Sequence, residues 1–120
     1  MSKDEQSIEA EIQAKGLTAP RITQADIEAN IRQTYFFTAE EGAQGALAKT
    51  EPELGAEFPS ISTLTFCVLV LRNGFTVTGE SACASPENFD AELGKKIARQ
   101  NAVAKVWPLM GYELRSKLAA

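Results

Sequence analysis

The sequence contains no histidine. That removes imidazole bases, histidine-led triads and the commonest metal-ligating side chain. It has two cysteines, Cys67 and Cys83, too few to hold a zinc ion by themselves. Cys67 lies in an apolar run and Cys83 has no activating neighbour, so both are expected to stay thiols in a reducing compartment. Long apolar runs are missing as well. The longest, Phe66 to Leu71, is strand-sized and far below the ~18 residues that span a bilayer. The opening residues Met1-Ser2-Lys3-Asp4-Glu5-Gln6 are too polar for a secretory signal. These absences predict a cytoplasmic protein with no membrane contact, no metal and no cofactor.

What is present suits one small globular domain: 120 residues, 44% hydrophobic, 23% charged, net charge −4. The charge is uneven. Residues 1–60 carry 5 Lys/Arg against 11 Asp/Glu, and residues 86–120 carry 6 against 4. An acidic front half argues against a DNA binder, whose affinity comes mainly from neutralising phosphates. The mildly basic C-terminal part could hold a small phosphorylated ligand, or be a solvated helix face.

Residues 1–7 have the composition of a disordered end. Ser7 to Lys15 suits a short helix with Ile8 and Ile12 on one side and Gly16 as its stop. Thr23 suits the cap of a better helix, with Asp26 in its first turn and Ile27, Ile31 and Tyr35 continuing at spacings of four. Tyr35-Phe36-Phe37 is expected to anchor the core. Thr38-Ala39-Glu40-Glu41 looks like another helix start, which Gly42 and Gly45 weaken. Lys49 to Ser60, with Pro52, Gly55 and Pro59, is expected to be a loop and a mobile segment. These boundaries predict a flexible or short helical extension over 1–21 and a single domain over 22–120.

Ser62 to Ser81 carries the strongest pattern, a β-hairpin turning at Asn73-Gly74. A two-residue type I′ turn there predicts Val70 opposite Val77, Val68 opposite Gly79 and Phe66 opposite Ser81. That face is expected to pack on a helix, with the Cys67, Leu69 and Leu71 face mixed. A lone hairpin is unstable, so a further strand must come from before Ser62 or from another chain. Ser85 suits the cap of the last helical region, with Pro86 in its first turn. Phe89, Leu93, Ile97, Ala104 and Trp107 form one helical stripe; Ala91, Gly94, Ala98 and Ala102 form a second, of small residues. The small seam suits either packing on the hairpin or a helix–helix contact between copies. Pro108 is expected to bend or break this helix, with a final helix beyond it.

No catalytic constellation stands out, so the chain is not expected to be an enzyme. Carboxylate pairs such as Glu40/Glu41 read as solvated charge. The segment from Glu80 to Asn88 is a better candidate site: a helix start at Ser85 would present free N–H groups to an anion. Phe75 at the hairpin tip could stack on a base, and Arg72 and Arg99 could fork onto phosphate. The plainer alternative is that Ser85 only caps its helix and Phe75 fills the core. Asn101, at the margin of the apolar stripe, is expected to bond to backbone.

The run Leu64-Thr65-Phe66-Cys67-Val68-Leu69-Val70-Leu71-Arg72-Asn73-Gly74-Phe75-Thr76-Val77-Thr78-Gly79-Glu80-Ser81-Ala82-Cys83 resembles a family of small bacteriophage proteins named for gene products forty-nine and sixty-six. So do Ser85-Pro86-Glu87-Asn88-Phe89-Asp90, Gly94 to Arg99, and Trp107-Pro108-Leu109. The likeness covers about Ser62 to Leu118, with a fainter echo from Ile22 to Thr38. The same hairpin-then-helix signature is similar to the first family of Thoeris anti-defence proteins. Those are phage sponges that hold cyclic ADP-ribose isomers, and in some members cyclic oligonucleotides.

That resemblance implies sequestration without turnover, a cyclic nucleotide ligand, and a homo-oligomer built from dimers. For such a ligand, side-chain chemistry and position point to Phe75 for the adenine, Thr76, Thr78 and Asn88 for ribose hydroxyls, and Arg72, Arg99 and the Ser85 helix start for the pyrophosphate. The expected fold is α+β: an antiparallel hairpin-based sheet packed on a long C-terminal helix, with N-terminal helices. The rival expectation is a protein–protein module that inhibits or adapts a host protein through the mixed hairpin face.

Overall fold

The computed structural model describes residues 3–51 and 59–120. In chain order these form α1 (Lys3–Ala14), α2 (Gln24–Asn30), β1 (Ile31–Thr38), α3 (Ala39–Thr50), α4 (Pro59–Ser62), β2 (Leu64–Leu71), β3 (Thr76–Ala82) and α5 (Ala91–Ala119). The strands make one antiparallel sheet in the order β1-β2-β3. The long α5 lies across one face of it, giving a single α+β domain.

Two helix starts follow from local chemistry. Thr23 accepts from the Asp26 amide while the Asp26 carboxylate accepts from the Thr23 amide; Thr38 and Glu41 do the same for α3. Such reciprocal caps satisfy two donors that a helix end leaves unpaired. Gly16, at φ +64°, follows α1, where a left-handed residue costs glycine nothing. Helix α1 begins at Lys3, so most of the stretch read as disordered is helical. Of the predicted Lys49–Ser60 loop, Lys49 and Thr50 close α3 and Pro59 opens α4; residues 52–58 lie outside the described residues.

The Ile27–Ile31–Tyr35 spacing misled. Helix α2 ends at Asn30, and Ile31 to Thr38 is the strand that the hairpin required. Ile27 is fully buried, but Tyr35 is 53% exposed, because alternation in a strand sends it to the face opposite Phe36. An extra residue, Arg32, bulges between the Ile31–Leu71 and Gln33–Val70 pairs.

The hairpin turns where expected but has three loop residues. Only Gly74 in this turn has positive φ, at +90°, whereas a type I′ turn needs it at two positions. The Gly74 amide donates to the Leu71 carbonyl and the Leu71 amide to the Phe75 carbonyl, each at 2.9 Å. Val70 therefore faces Thr76, Val68 faces Thr78 and Phe66 faces Glu80. A one-residue slip exchanges the two sides of a strand. The side meeting α5 carries Cys67, Leu69 and Leu71, with Val77 and Gly79, all buried. Phe66, Val68 and Val70 share the other face with Tyr35 and Phe37.

Helix α5 presents its small seam to the sheet: Gly94, Ala98 and Ala102 are buried, as are Val103 and Val106. A Cβ on Gly79 would fall 2.3 Å from the Ala98 carbonyl oxygen and the Ala102 nitrogen, so strand and helix backbones touch. The seam is thus used within the chain, leaving Leu93 and Ile97 exposed. Ser85 makes no side-chain cap. Pro86–Asn88 is one 3-10 turn, and Asp90 caps α5 by accepting from the Glu92 and Leu93 amides at 3.0 and 3.1 Å. Pro108 does not end the helix, which runs through it for 29 residues in all, from Ala91 to Ala119. Ala104, whose carbonyl loses its helical donor to Pro108, is exposed, where water can serve instead.

Gly79→Ala is expected to lower unfolding stability by about 2–3 kcal/mol, the upper range for overpacking. The control is Gly45→Ala in α3, where an added Cβ meets nothing and a gain of about 0.5–1 kcal/mol is expected. Urea melts followed by circular dichroism measure both.

Candidate functional site

The hairpin tip is held to the end of α2. The Arg72 amide donates to the Asn30 carbonyl at 3.0 Å and approaches Asn30 Oδ1 at 3.3 Å, while Arg72 Nε donates to the Ala29 carbonyl. Asn73 Oδ1 accepts from the Phe75 amide at 2.9 Å, tying down the turn it belongs to. Phe75 is left 56% exposed on a braced backbone.

The C-terminal half of α5 forms the opposite wall. Between wall and tip lie two cavities. One, about 510 Å³, is lined by Arg21, Arg72 and Lys117 among others. The second, about 200 Å³, is lined by Phe75, Leu71 and Leu109. They share Asn30, Asn73, Met110 and Glu113, and so form one groove with a cationic end and an aromatic end. The larger volume lies within the ~300–1,000 Å³ typical of small-molecule sites.

Two of its cations already have carboxylate partners. Arg21 grips Glu9 of α1 with both terminal nitrogens, at 2.8 and 2.7 Å, and this bond holds the Glu9 carboxyl down to about 2. Lys117 reaches Glu113 at 3.4 Å. Arg72 makes no ion pair among the described residues, so its charge is the one most available to an anion.

Of the residues singled out in the sequence, Arg72 and Phe75 line this groove, one in each part. The others lie elsewhere. Thr76 and Thr78 pair with Val70 and Val68 on the sheet face away from α5. Ser85 stands before the 3-10 turn, its carbonyl accepting from the Asn88 amide. Asn88 lines a separate cavity of about 120 Å³ with Cys83, Phe89 and Gly94. Arg99 forks onto Glu28 of α2 at 3.1 and 2.7 Å. None of the five main cavities of the described residues is lined by more than one of the seven. Cys67 is buried, which pushes its thiol up, and Asn101 donates to the Glu80 carbonyl at 2.8 Å, the backbone bond expected of it.

The α5 contributors to the groove were not legible, because a break at Pro108 hid one continuous stripe. Met110, Glu113 and Lys117 recur at three and four residues, the spacing of one helix face. Asn30 carries no local signal; only tertiary contact with the turn brings it in.

The model of the Phage protein (N4 Gp49/phage Sf6 gene 66) family matches residues 22–118. The chain belongs to this family. The matched span contains the groove except for Arg21, and it leaves α1 outside. No curated protein matches the chain, and no solved structure does.

The Glu28–Arg99 pair gives this phage-family domain a pH response. The hydrogen bond from Arg99 holds the Glu28 carboxyl below its ordinary value of 4.5. A carboxylate lowered by folding stabilises fully above its unfolded pKa, and that contribution is lost as pH falls through the folded one. Wild-type melting temperature is therefore expected to fall below about pH 4.5. Glu28→Gln should melt lower at pH 7 and show a shallower acid decline, measured by thermal melts from pH 7 to 3.

Proposed function

We propose that the protein binds and sequesters a cyclic nucleotide immune signal, a cyclic ADP-ribose isomer or a cyclic oligonucleotide, without turning it over. The observation carrying this reading is the groove that sets the exposed Phe75 ring at one end and the Arg72 guanidinium at the other. Such a ligand combines a flat base with anionic phosphates. The base finds an apolar and aromatic compartment, where stacking contributes about 1–3 kcal/mol. The phosphates find Arg72, whose planar fork matches their oxygens. The resemblance of the hairpin and of the Ser85–Asp90 segment to the Thoeris anti-defence proteins supports the same ligand class, and membership of a phage family agrees with it.

Sequestration asks only for affinity, with ligand released intact. Calorimetry and thermal shift against cyclic ADP-ribose isomers and cyclic di- and trinucleotides test this directly. A ligand at a hundred times its Kd should add about 2.7 kcal/mol of stability and return unaltered after denaturation. Phe75→Ala is expected to weaken binding about tenfold or more while the fold persists. Altered product on recovery would indicate an enzyme instead.

The second reading, a protein–protein module, is favoured by the sheet face opposite α5. Tyr35, Phe37, Phe66, Val68 and Val70 lie together there, with the Phe37 and Phe66 rings stacked at 5.7 Å. A contiguous apolar patch of this kind marks an interaction surface, open to a host protein or to a second copy of the chain. Leu69 and Leu71, on the buried face, are unsuitable test positions. Val68→Glu should abolish partner capture or self-association, read by pull-down and light scattering, and leave cyclic nucleotide binding untouched.

A further inference from the structure

We propose that Glu113 reads the sugar of the bound nucleotide, so that the groove selects ligands with a free ribose hydroxyl over 2′-deoxy and 2′-phosphorylated analogues. This rests on the reading of the groove as a nucleotide site. A nucleotide with its base at Phe75 and its phosphates at Arg72 places its sugar between them, at the four residues common to both cavities: Asn30, Asn73, Met110 and Glu113.

Three of the four have little to offer a hydroxyl donor. Asn73 Oδ1 is taken by the Phe75 amide and Asn30 Oδ1 faces the Arg72 amide. Met110 carries only a thioether, a weak acceptor. Glu113 remains: its Oε1 lies at 3.4 Å from Lys117 Nζ, and its second oxygen has no protein donor among the described residues. An ionised carboxylate is acceptor-only and takes two hydroxyls side by side. Its bonds to hydroxyls are charge-assisted and therefore strong. The same negative charge repels a phosphate placed on the sugar. One side chain thus rewards a free 2′-hydroxyl and penalises both its absence and its phosphorylation. Helix α5 supplies the rigidity, because Val106, two turns earlier, is fully buried against the sheet.

The test is calorimetry of the full chain with three probes: cyclic ADP-ribose, its 2′-deoxy analogue and its 2′-phosphate. Wild type is expected to bind cyclic ADP-ribose at least about tenfold tighter than either analogue, the range for a lost charge-assisted hydrogen bond. Glu113→Gln should cut the 2′-phospho penalty several-fold, and Glu113→Ala should bring all three affinities within about threefold. Glu113 is 61% exposed, and unchanged melting temperatures would show that both variants stay folded. Equal affinities in wild type, or full discrimination retained in Glu113→Ala, would overturn the role of Glu113 and leave the groove standing. No binding of any probe, or binding unaffected by Phe75→Ala, would overturn the groove as the nucleotide site and this inference with it.

Discussion

The fold depends on a missing side chain. At Gly79 the backbone of β3 meets the backbone of α5, and even a methyl group would collide with Ala98 and Ala102. Close approach lets a three-stranded sheet and one helix share a dry layer of Cys67, Leu69, Leu71, Val77 and Val106 without larger side chains to fill a gap. It also sets the rotation of α5. With its smallest residues turned inward, its larger apolar ones, Leu93 and Ile97, are turned outward. The same rotation carries Met110, Glu113 and Lys117 to the hairpin tip, three turns beyond the contact.

Much of this was legible where the signal is local. Thr23 with Asp26 and Thr38 with Glu41 announce two helix starts, because a cap is decided within four residues. The turn at Asn73-Gly74 was visible for the same reason, but its length was not. Whether Asn73 joins Gly74 at positive φ is settled by how the strands close, and a one-residue difference turned Cys67, Leu69 and Leu71 of β2 inward, while Val77 and Gly79 of β3 face α5 as expected. The strand β1 hid behind a spacing of four that a helix would also produce. Asp90 lost to Ser85 as the apparent cap because Pro86 makes so good a first helical residue.

The site was legible by halves. Arg72 and Phe75 flank the turn, and their chemistry marks them wherever the turn goes. Arg99 looked equally suited to phosphate, yet it is spent on Glu28, 71 residues away in sequence. Thr76 and Thr78 lie on the sheet face away from α5, as expected, but the groove opens at the hairpin tip and neither lines it. A groove assembled from α2, a turn and the far end of a helix leaves no contiguous trace, so Asn30 and Glu113 emerge only from the tertiary arrangement.

Among the described residues the sheet has two unpaired edges, and each is blunted. In β1 the extra residue Arg32 interrupts the regular pairing with β2, and a bulge bends and twists a strand so that its free edge is a poor template for another chain. On the outer side of β3, Asn101 reaches round from α5 to take the Glu80 carbonyl, occupying an acceptor that an incoming strand would need. Blunting both edges works against runaway strand-to-strand growth into fibres.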